Sequence, residues 1–548
     1  MKAYRKFIKI FVKEQRKLSF FCILLVMLQA VIQGFLPVSL RLLLNRLLGN
    51  ESVVKVILTC VCGYGLVYLL YNTINVIWYM LLDKLGGNII QYVREKSYSA
   101  IKYADYENIM SIGKDKIKNI LFMDTLNLFS TIALQSVQLV ADLLILMVFL
   151  VLAAYVNWSL GIILLLGSVV GFVIAHRARK VIIKTSRTVN AKMKEDNEVL
   201  NQYVDAIELE KTIDLGNYFS ERNRKSLWRF INTSIEVDKK QIFLKNVIEH
   251  FHQLFSICVT VYLMLISNNN FAGDVVFFLL VSDIVLGKSQ EIENIIYSIY
   301  KAIPSCENVE QIMTLDKSYG EREVKNIRSI EFKNVSFYYN TNHINVLEDI
   351  NCKFYAGDII KVCGTNGSGK STFLKLLVGL LKAKSGEVLF DGVSVGEITK
   401  ECLNQQILYV GQEEVLLNET FNQYLSIVSG GKYNPQSMSS LLEYLKINAE
   451  KELIQENGKN LSNGQRKKLL ILKLLASYKD VSIIILDEID GGLDIETKEV
   501  LEKLEREIIN NNVKSIIFKI SHKEDENLEK YTHILDINKR ITIENCEK

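Results

Sequence analysis

Gly364-Thr365-Asn366-Gly367-Ser368-Gly369-Lys370-Ser371-Thr372 fits Gly-x-x-x-x-Gly-Lys-Ser/Thr at every fixed position. The glycines let the backbone fold back so that successive N–H groups converge on phosphate oxygens. Lys370 then reaches the β- and γ-phosphates, and the Ser371 hydroxyl ligates Mg²⁺. The flanks agree with this reading. Asp358–Cys363 reads as a buried strand, and Phe373–Val378 opens a helix whose N-terminal dipole favours an anion. A stretch of some 300 residues dominated by long apolar runs precedes the loop, so nucleotide chemistry is joined to a path through lipid.

The chain has 548 residues, too many for one ordinary domain. Hydrophobic residues make up 49% and charged residues 23% of it, and mean hydropathy is +0.16. The two characters segregate: apolar runs dominate before about residue 300 and mixed, charged sequence follows. A formal net charge of +4 gives no case for a nucleic-acid partner. Nine scattered cysteines show neither a metal spacing nor a disulfide framework, which places the polar half in a reducing cytoplasm.

Six apolar segments are long enough to cross a ~30 Å hydrocarbon core: about 19–47, 53–82, 131–155, 158–177, 244–267 and 272–297. The breaks alternate in kind. Those near 49–52, 157–158 and 267–270 are short and lack Lys and Arg, whereas 83–130 and 178–243 are long, helix-compatible and rich in both. The positive-inside rule therefore puts the N-terminus, both long loops and the C-terminal half in the cytoplasm, in a multi-pass protein of the cell membrane. The first 17 residues carry seven basic side chains against Glu14, with Phe7, Ile8, Phe11 and Val12 at helical spacing. They predict an amphipathic helix on the inner membrane surface; a cleaved signal peptide is the other reading. Arg41, Arg46, Asp142, Asp283 and Lys288 fall inside spans. Either they line a polar substrate path or they pair between helices.

Beyond residue 330 the pattern changes. Phe332–Tyr339 and Ile350–Phe354 alternate with period two, as half-buried strands do. Ile407–Gln412 and Ser515–Ile520 are further strands, the latter leading to His522. Val481–Leu486 is a continuous apolar run ending in Asp487 and Glu488. A buried parallel strand that delivers two carboxylates at its C-terminal end suits an open α/β sheet. Asp487 would hold Mg²⁺ and Glu488 would orient the attacking water. Leu461-Ser462-Asn463-Gly464-Gln465 reads as a helix start capped by Ser462.

In this order and spacing the motifs resemble those of ABC transporters, specifically half-size exporters, over essentially the whole chain. The resemblance implies a six-span α-helical domain, about 1–315, with cytoplasmic coupling loops at 83–130 and 178–243. An α/β ATP-binding domain with a small antiparallel β subdomain follows at 328–548. It also implies site roles. Tyr339 stacks on adenine; Gly364 to Thr372 cradle the phosphates; Lys370, Glu488 and His522 are catalytic; Ser371, Gln412 and Asp487 hold Mg²⁺. Ser462, Asn463, Gly464 and Gln465 meet the ATP of a second subunit, and Asp494 lies on the dimer seam. Short helices near Asp105–Gly113 and Asp205–Lys211 would pass motion to the spans.

One loop and one signature per chain imply a dimer, of two copies or of two different half-transporters, with ATP, Mg²⁺, membrane lipid and an exported small molecule or peptide as partners. Three departures stand out: Asn463 replaces the usual first signature glycine, Ile489-Asp490-Gly491-Gly492 replaces a small-residue pattern, and Glu456-Asn457-Gly458 keeps a trace of the cross-talk motif. Asn tolerates left-handed backbone, so a functional but slower site is expected. The expected function is ATP-driven export or flipping of a modified or hydrophobic peptide, an amphiphile or a lipid. A leader-trimming enzyme would be a separate protein. The alternatives are an ATP-gated channel or sensor and a soluble mechanical ATPase, which the six spans disfavour; an importer would usually keep its two parts on separate chains.

Overall fold

The computed structural model describes residues 2–47, 53–213, 215, 217–266, 271–340, 344–411, 414–436, 438–445, 447, 453–489, 493, 495–511, 514–520, 531–538 and 542–545. The chain divides into two compact units, one of residues 1–97 and 117–313, the other of residues 98–116 and 314–548.

The first unit is helical. Its elements are α1 (Lys2–Glu14), α2 (Arg16–Leu47), most of α3 (Val53–Tyr103), α6 (Thr125–Leu128), α7 (Ser136–Val156), α8 (Trp158–Asp205), α9 (Ile207–Thr212), α10 (Tyr218–Ile266) and α11 (Phe271–Met313). The six long helices α2, α3, α7, α8, α10 and α11 carry the six apolar segments of the sequence. Three stretches within the described residues, Arg16–Leu44, Val61–Tyr103 and Lys114–Val156, are long and apolar enough to cross a membrane. Ala30, Phe149, Leu164, Val259, Phe277 and Val281 form the core between α2, α7, α8, α10 and α11. Two of the three prolines sit inside helices, Pro37 in α2 and Pro304 in α11. Two π-helical turns, Ile120–Asp124 and Phe129–Gln135, bracket α6. Buried Asp124 takes hydrogen bonds there from Ser305 Oγ at 2.7 Å and Asn308 Nδ2 at 2.8 Å.

The charges within spans are mostly paired between helices. Arg41 Nε lies 2.6 Å from Asp274. Lys288 lies 3.0 Å from Asp142 and 2.5 Å from Glu291, and Gln138 donates to Asp142 at 2.9 Å. Pairing lowers the cost of a charge in lipid, so the interhelical reading holds for Arg41, Asp142 and Lys288. Asp283 is exposed, and the side chain of Arg46 lies outside the described residues. The N-terminal helix forms where the sequence predicts it; of the four apolar residues in its pattern, Phe7 and Phe11 are buried, Ile8 is half-buried and Val12 is exposed. Its apolar side chains Tyr4, Phe7 and Phe11 are buried against protein, chiefly α11, with Tyr4 Oη 2.7 Å from Ser136 Oγ.

The second unit holds two sheets. β1 (Ser329–Tyr338), β2 (Asn345–Tyr355), β4 (Ser385–Phe390) and β5 (Val393–Ser394) form an antiparallel sheet in the order β2-β1-β4-β5. β3 (Ile359–Cys363), β6 (Ile407–Val410), β7 (Ile483–Asp487), β8 (Ile516–Ile520), β9 (His533–Asp536) and β10 (Thr542–Asn545) form the second, in the order β10-β9-β3-β8-β7-β6. It is parallel except for the β9–β10 pair. Its helices are α12 (Lys370–Leu377), α13 (Lys400–Gln406), α14 (Phe421–Val428), α15 (Ser439–Tyr444), α16 (Asn463–Ser477) and α17 (Ile495–Asn511). Phe332 and Phe354 of the antiparallel sheet meet Ile360, Phe373 and Phe518, with the Phe332 and Phe373 rings stacked 4.6 Å apart. On the other face, α16 and α17 bury Leu470, Leu474, Leu501 and Leu504 against Leu408, Ile484 and Leu486. Continuous apolar strands such as Ile483–Leu486 are what burial on both faces requires.

Two short helices, α4 (Tyr106–Ile112) and α5 (Lys114–Asn119), follow α3. α4 belongs to this second unit. Asp105 caps it, accepting the Glu107 N–H at 2.8 Å, and Gly113 ends it at φ +88°. These are the bounds that the first coupling segment was expected to have. Tyr106 packs against the core between the sheets.

Candidate nucleotide site

Because β3, β8 and β7 are neighbours in one parallel sheet, the loop after β3 and the acids ending β7 emerge at the same sheet edge, one strand apart. That edge is where open α/β sheets bind ligands. The helix after the loop begins at Lys370, three residues earlier than the apolar pattern indicated, so Lys370, Ser371 and Thr372 are its first turn. Gly367 and Gly369 have φ of +84° and +104°, a backbone that side chains disfavour. A Cβ at Gly369 would also press on Val346 and Leu347 of β2. Lys370 folds back over the loop, donating to the carbonyls of Gly364 at 2.7 Å and Thr365 at 3.1 Å. Asn538, past β9, accepts from Thr365 N at 3.1 Å and Thr365 Oγ1 at 3.0 Å. Asn366 is exposed at the tip, and Ser371 is exposed at the helix start.

Tyr339 closes one side. Its ring meets Phe337 edge-on, with centroids 5.0 Å apart, and its hydroxyl is 3.1 Å from Thr372 Oγ1. The next residue, Asn340, donates its N–H to Glu107 of α4 at 2.8 Å. Lys384 completes the cluster, 2.8 Å from the other Glu107 oxygen and 3.1 Å from Asn340 Oδ1.

At the end of β7, Asp487 Oδ2 accepts the Tyr409 hydroxyl of β6 at 2.7 Å. Burial, then the bond to Asp487, raises the Tyr409 pKa far above that of a free phenol, so it stays a donor. Glu488 is half-buried and left-handed, φ +53°, with its N–H bonded to Ile520 O at 3.1 Å. A non-glycine residue held there is strained, and such strain clusters at functional sites. Among the described residues no cluster of three or more His, Cys, Asp or Glu side chains could hold a metal by itself. A hydroxyl from Ser371 and a carboxylate from Asp487, completed by phosphate oxygens and water, fit Mg²⁺. Gln412, Asp494 and His522 lie outside the described residues.

The signature region forms the start of α16. Ser462 Oγ accepts the Gln465 N–H at 3.2 Å, and Gln465 Oε1 accepts the Ser462 N–H at 2.9 Å, a complete capping box. Asn463 opens the helix in ordinary helical backbone, so left-handed tolerance is not what this position asks of it. Ser462 and Asn463 are exposed. A Cβ on Gly464 would meet nothing nearer than Ser462 Oγ at 3.8 Å. Glu456, Asn457 and Gly458 form a left-handed turn, at φ +45°, +59° and +78°. Asn457 Oδ1 accepts the Leu416 N–H at 2.7 Å, and Arg466 donates to Gly458 O at 3.1 Å. Farther along α16, buried Lys473 pairs with Glu414 and donates to Tyr409 O at 3.0 Å.

Sequence reasoning missed Tyr409, Asn538, Glu107, Lys384 and Lys473. Tyr409 alone had a signal, as the polar-tipped residue between inward-facing Leu408 and Val410. The others act through contacts distant in sequence.

Residues 347–490 match the ABC transporter family, and residues 19–289 match the ABC transporter transmembrane region. Three curated relatives show the range of resemblance. An uncharacterized ABC transporter ATP-binding protein, YwjA of Bacillus subtilis, is 26% identical over 65% of this chain and 64% of its own length. An ATP-dependent lipid A-core flippase of Methylococcus capsulatus is 26% identical over 45% of this chain and 42% of its own. The subtilin transport ATP-binding protein SpaT of Bacillus subtilis is 27% identical over 50% of this chain and 47% of its own. The chain thus spans less than two thirds of each of these relatives. A solved structure of a bacterial Atm1-family ABC exporter with ATP bound shares the fold, with a TM-score of 0.82, 16% identity, and coverage of 96% of this chain and 94% of that one.

Proposed function

The chain belongs to the ABC transporter family, with a transmembrane region ahead of its ATP-binding domain, and from this we propose that it is a dimeric, ATP-driven exporter of the cell membrane. A hydrophobic or modified peptide is the first candidate cargo, in keeping with the relative named for subtilin transport. The observation that carries the reading is the pairing of a complete phosphate loop and strand-end acids with a capped signature helix whose start, at Ser462 and Asn463, is exposed. One chain has one of each, so two copies would close two sites, with Ser462 and the first N–H groups of α16 facing the γ-phosphate held by the partner. ATP with Mg²⁺ would clasp the ATPase domains, and hydrolysis would release them. Lys370 balances phosphate charge, Glu488 orients and deprotonates the water, and Tyr409 fixes the rotamer of Asp487. When bound, Mg²⁺ neutralises charge on the phosphate oxygens. His522 would contact the γ-phosphate, Gln412 would sense the metal, and Asp494 would lie on the seam.

Export or flipping of lipid is the second reading, favoured by the relative named as a lipid A-core flippase. Purified protein in lipid nanodiscs, assayed for ATP hydrolysis against peptides, lipids and dyes, tests both. Stimulation by one class names the cargo; hydrolysis without vectorial movement in vesicles would favour a gate over a pump.

A further inference from the structure

We propose that the outward face of α1 is a binding surface for anionic lipid headgroups. At about 100° per residue, Lys2, Arg5, Lys6, Lys9 and Lys13 fall within one arc of roughly 100°, opposite the arc of Ala3, Tyr4, Phe7 and Phe11. That second arc is spoken for: its four side chains are buried against protein. Of the apolar side chains of α1 only Val12 is exposed, beside the cationic arc, so the helix needs little lipid for its apolar side and what it chiefly presents outward is charge.

Lys6 pairs with Glu310 at 2.7 Å. Among the described residues Lys2, Arg5, Lys9 and Lys13 have no ion-pair partner, and all four are exposed. The place of the helix identifies the occupant. Hydrogen bonds carry α1 into α2 through Gln15, where Arg16 and Lys17 are exposed. Within a turn, Phe20 and Phe21 are exposed at 68% and 54%. The cationic face thus adjoins the border between polar surface and lipid-facing apolar surface, the level of phosphate headgroups. The charges are strung along a helix about 20 Å long rather than converging on a pocket, which suits an array of headgroups better than one free phosphate. The inference rests on reading Arg16–Leu44 as membrane-spanning, not on the nucleotide site.

The test uses full-length protein, delipidated and then given equimolar dioleoyl-phosphatidylglycerol and dioleoyl-phosphatidylcholine in mixed micelles, with retained lipids counted by native mass spectrometry. Wild-type protein should keep about threefold or more phosphatidylglycerol over phosphatidylcholine at low salt, falling toward parity near 0.5 M salt. Lys2→Gln/Arg5→Gln/Lys9→Gln/Lys13→Gln should sit at parity throughout, while Lys2→Arg/Lys9→Arg/Lys13→Arg should behave as wild type. Parity in the wild type, or an undiminished excess in the glutamine variant, would overturn the proposal. So would loss of the excess on adding inorganic phosphate, which would mark a free-ion site, or on adding soluble polyglutamate, which would mark an acidic protein partner. ATP binding by each variant, measured alongside, reports separately on the ATPase fold and the nucleotide reading.

Discussion

Glu107 and Lys384 sit 2.8 Å apart, and both reach Asn340, the residue after Tyr339. The helix bearing Glu107 comes from the stretch between the second and third apolar segments; Asn340 follows Tyr339, whose hydroxyl lies 3.1 Å from Thr372 at the edge of the candidate nucleotide site. A shift of α4 would therefore move the backbone that carries the ring expected to stack on adenine. Replacing Glu107 with Gln removes the ion pair and weakens the bond to the Asn340 N–H. ATP hydrolysis should then show a KM raised roughly three- to tenfold with kcat within about twofold, since a hydrogen bond to a charged group contributes ~1.5–3 kcal/mol, less at a partly exposed site. Discrimination between ATP and GTP should narrow as well. A pure loss of kcat with unchanged KM would show that Glu107 does not position Tyr339.

Glu488→Gln keeps shape and hydrogen bonding but cannot take a proton from water. ATP binding should persist while turnover falls by about 10²-fold or more. Normal turnover would remove Glu488 from the chemistry. The left-handed backbone gives a second handle: Glu488→Gly should relieve strain of order 1 kcal/mol and raise thermal stability as activity disappears.

Tyr409→Phe deletes the bond to Asp487 without changing volume. The carboxylate loses its orientation, so the Mg²⁺ concentration for half-maximal ATPase should rise about tenfold, equivalent to ~1.4 kcal/mol. Because the phenol is held neutral far above the working range, Tyr409 should add no step to the wild-type pH profile between pH 6 and about 9. An unchanged Mg²⁺ requirement would mean the bond is structural only.

Gly464 has open space where a side chain would go, at least within its own chain. Gly464→Val should therefore leave folding and single-chain nucleotide binding intact at a cost of about 1 kcal/mol or less. If a second subunit's nucleotide docks on this helix start, the same change should block ATP-dependent closure, read by cross-linking of cysteines engineered near residue 463 in a Glu488→Gln background. Undisturbed closure would disprove docking at this spot.

Much of the ATPase half could be read directly. The loop, the strand-end acids and the capped Ser462 are local patterns, because phosphate binding and helix capping each demand particular residues within a few positions of one another. Asn463 illustrates where local reasoning strays: its type hinted at left-handed backbone, but the cap at Ser462 places it in the first helical turn. The starting point of α12 was also displaced, since glycines hide the helical register of Lys370. In the membrane half, hydropathy found the long helices yet said nothing of partners. The Arg41–Asp274 and Asp142–Lys288 pairs join residues more than a hundred positions apart, and no periodicity encodes that.

Lys288→Met alone would leave Asp142, buried in full, without its cation. That variant should lose ~3–5 kcal/mol of stability, and Asp142→Asn/Lys288→Met should recover most of it. Thermal unfolding in one fixed detergent decides; a double variant no better than the single would mean that the polar pair does more than hold helices together.

Residues 98–116 share a compact unit with residues 314–548. A boundary drawn from sequence after the last apolar helix would sever them. An ATPase fragment beginning near residue 328 would leave Tyr106 behind and bare the surface that it covers, inviting aggregation in solution. Grafting this engine onto another transporter would succeed only if the α4 segment travelled with it.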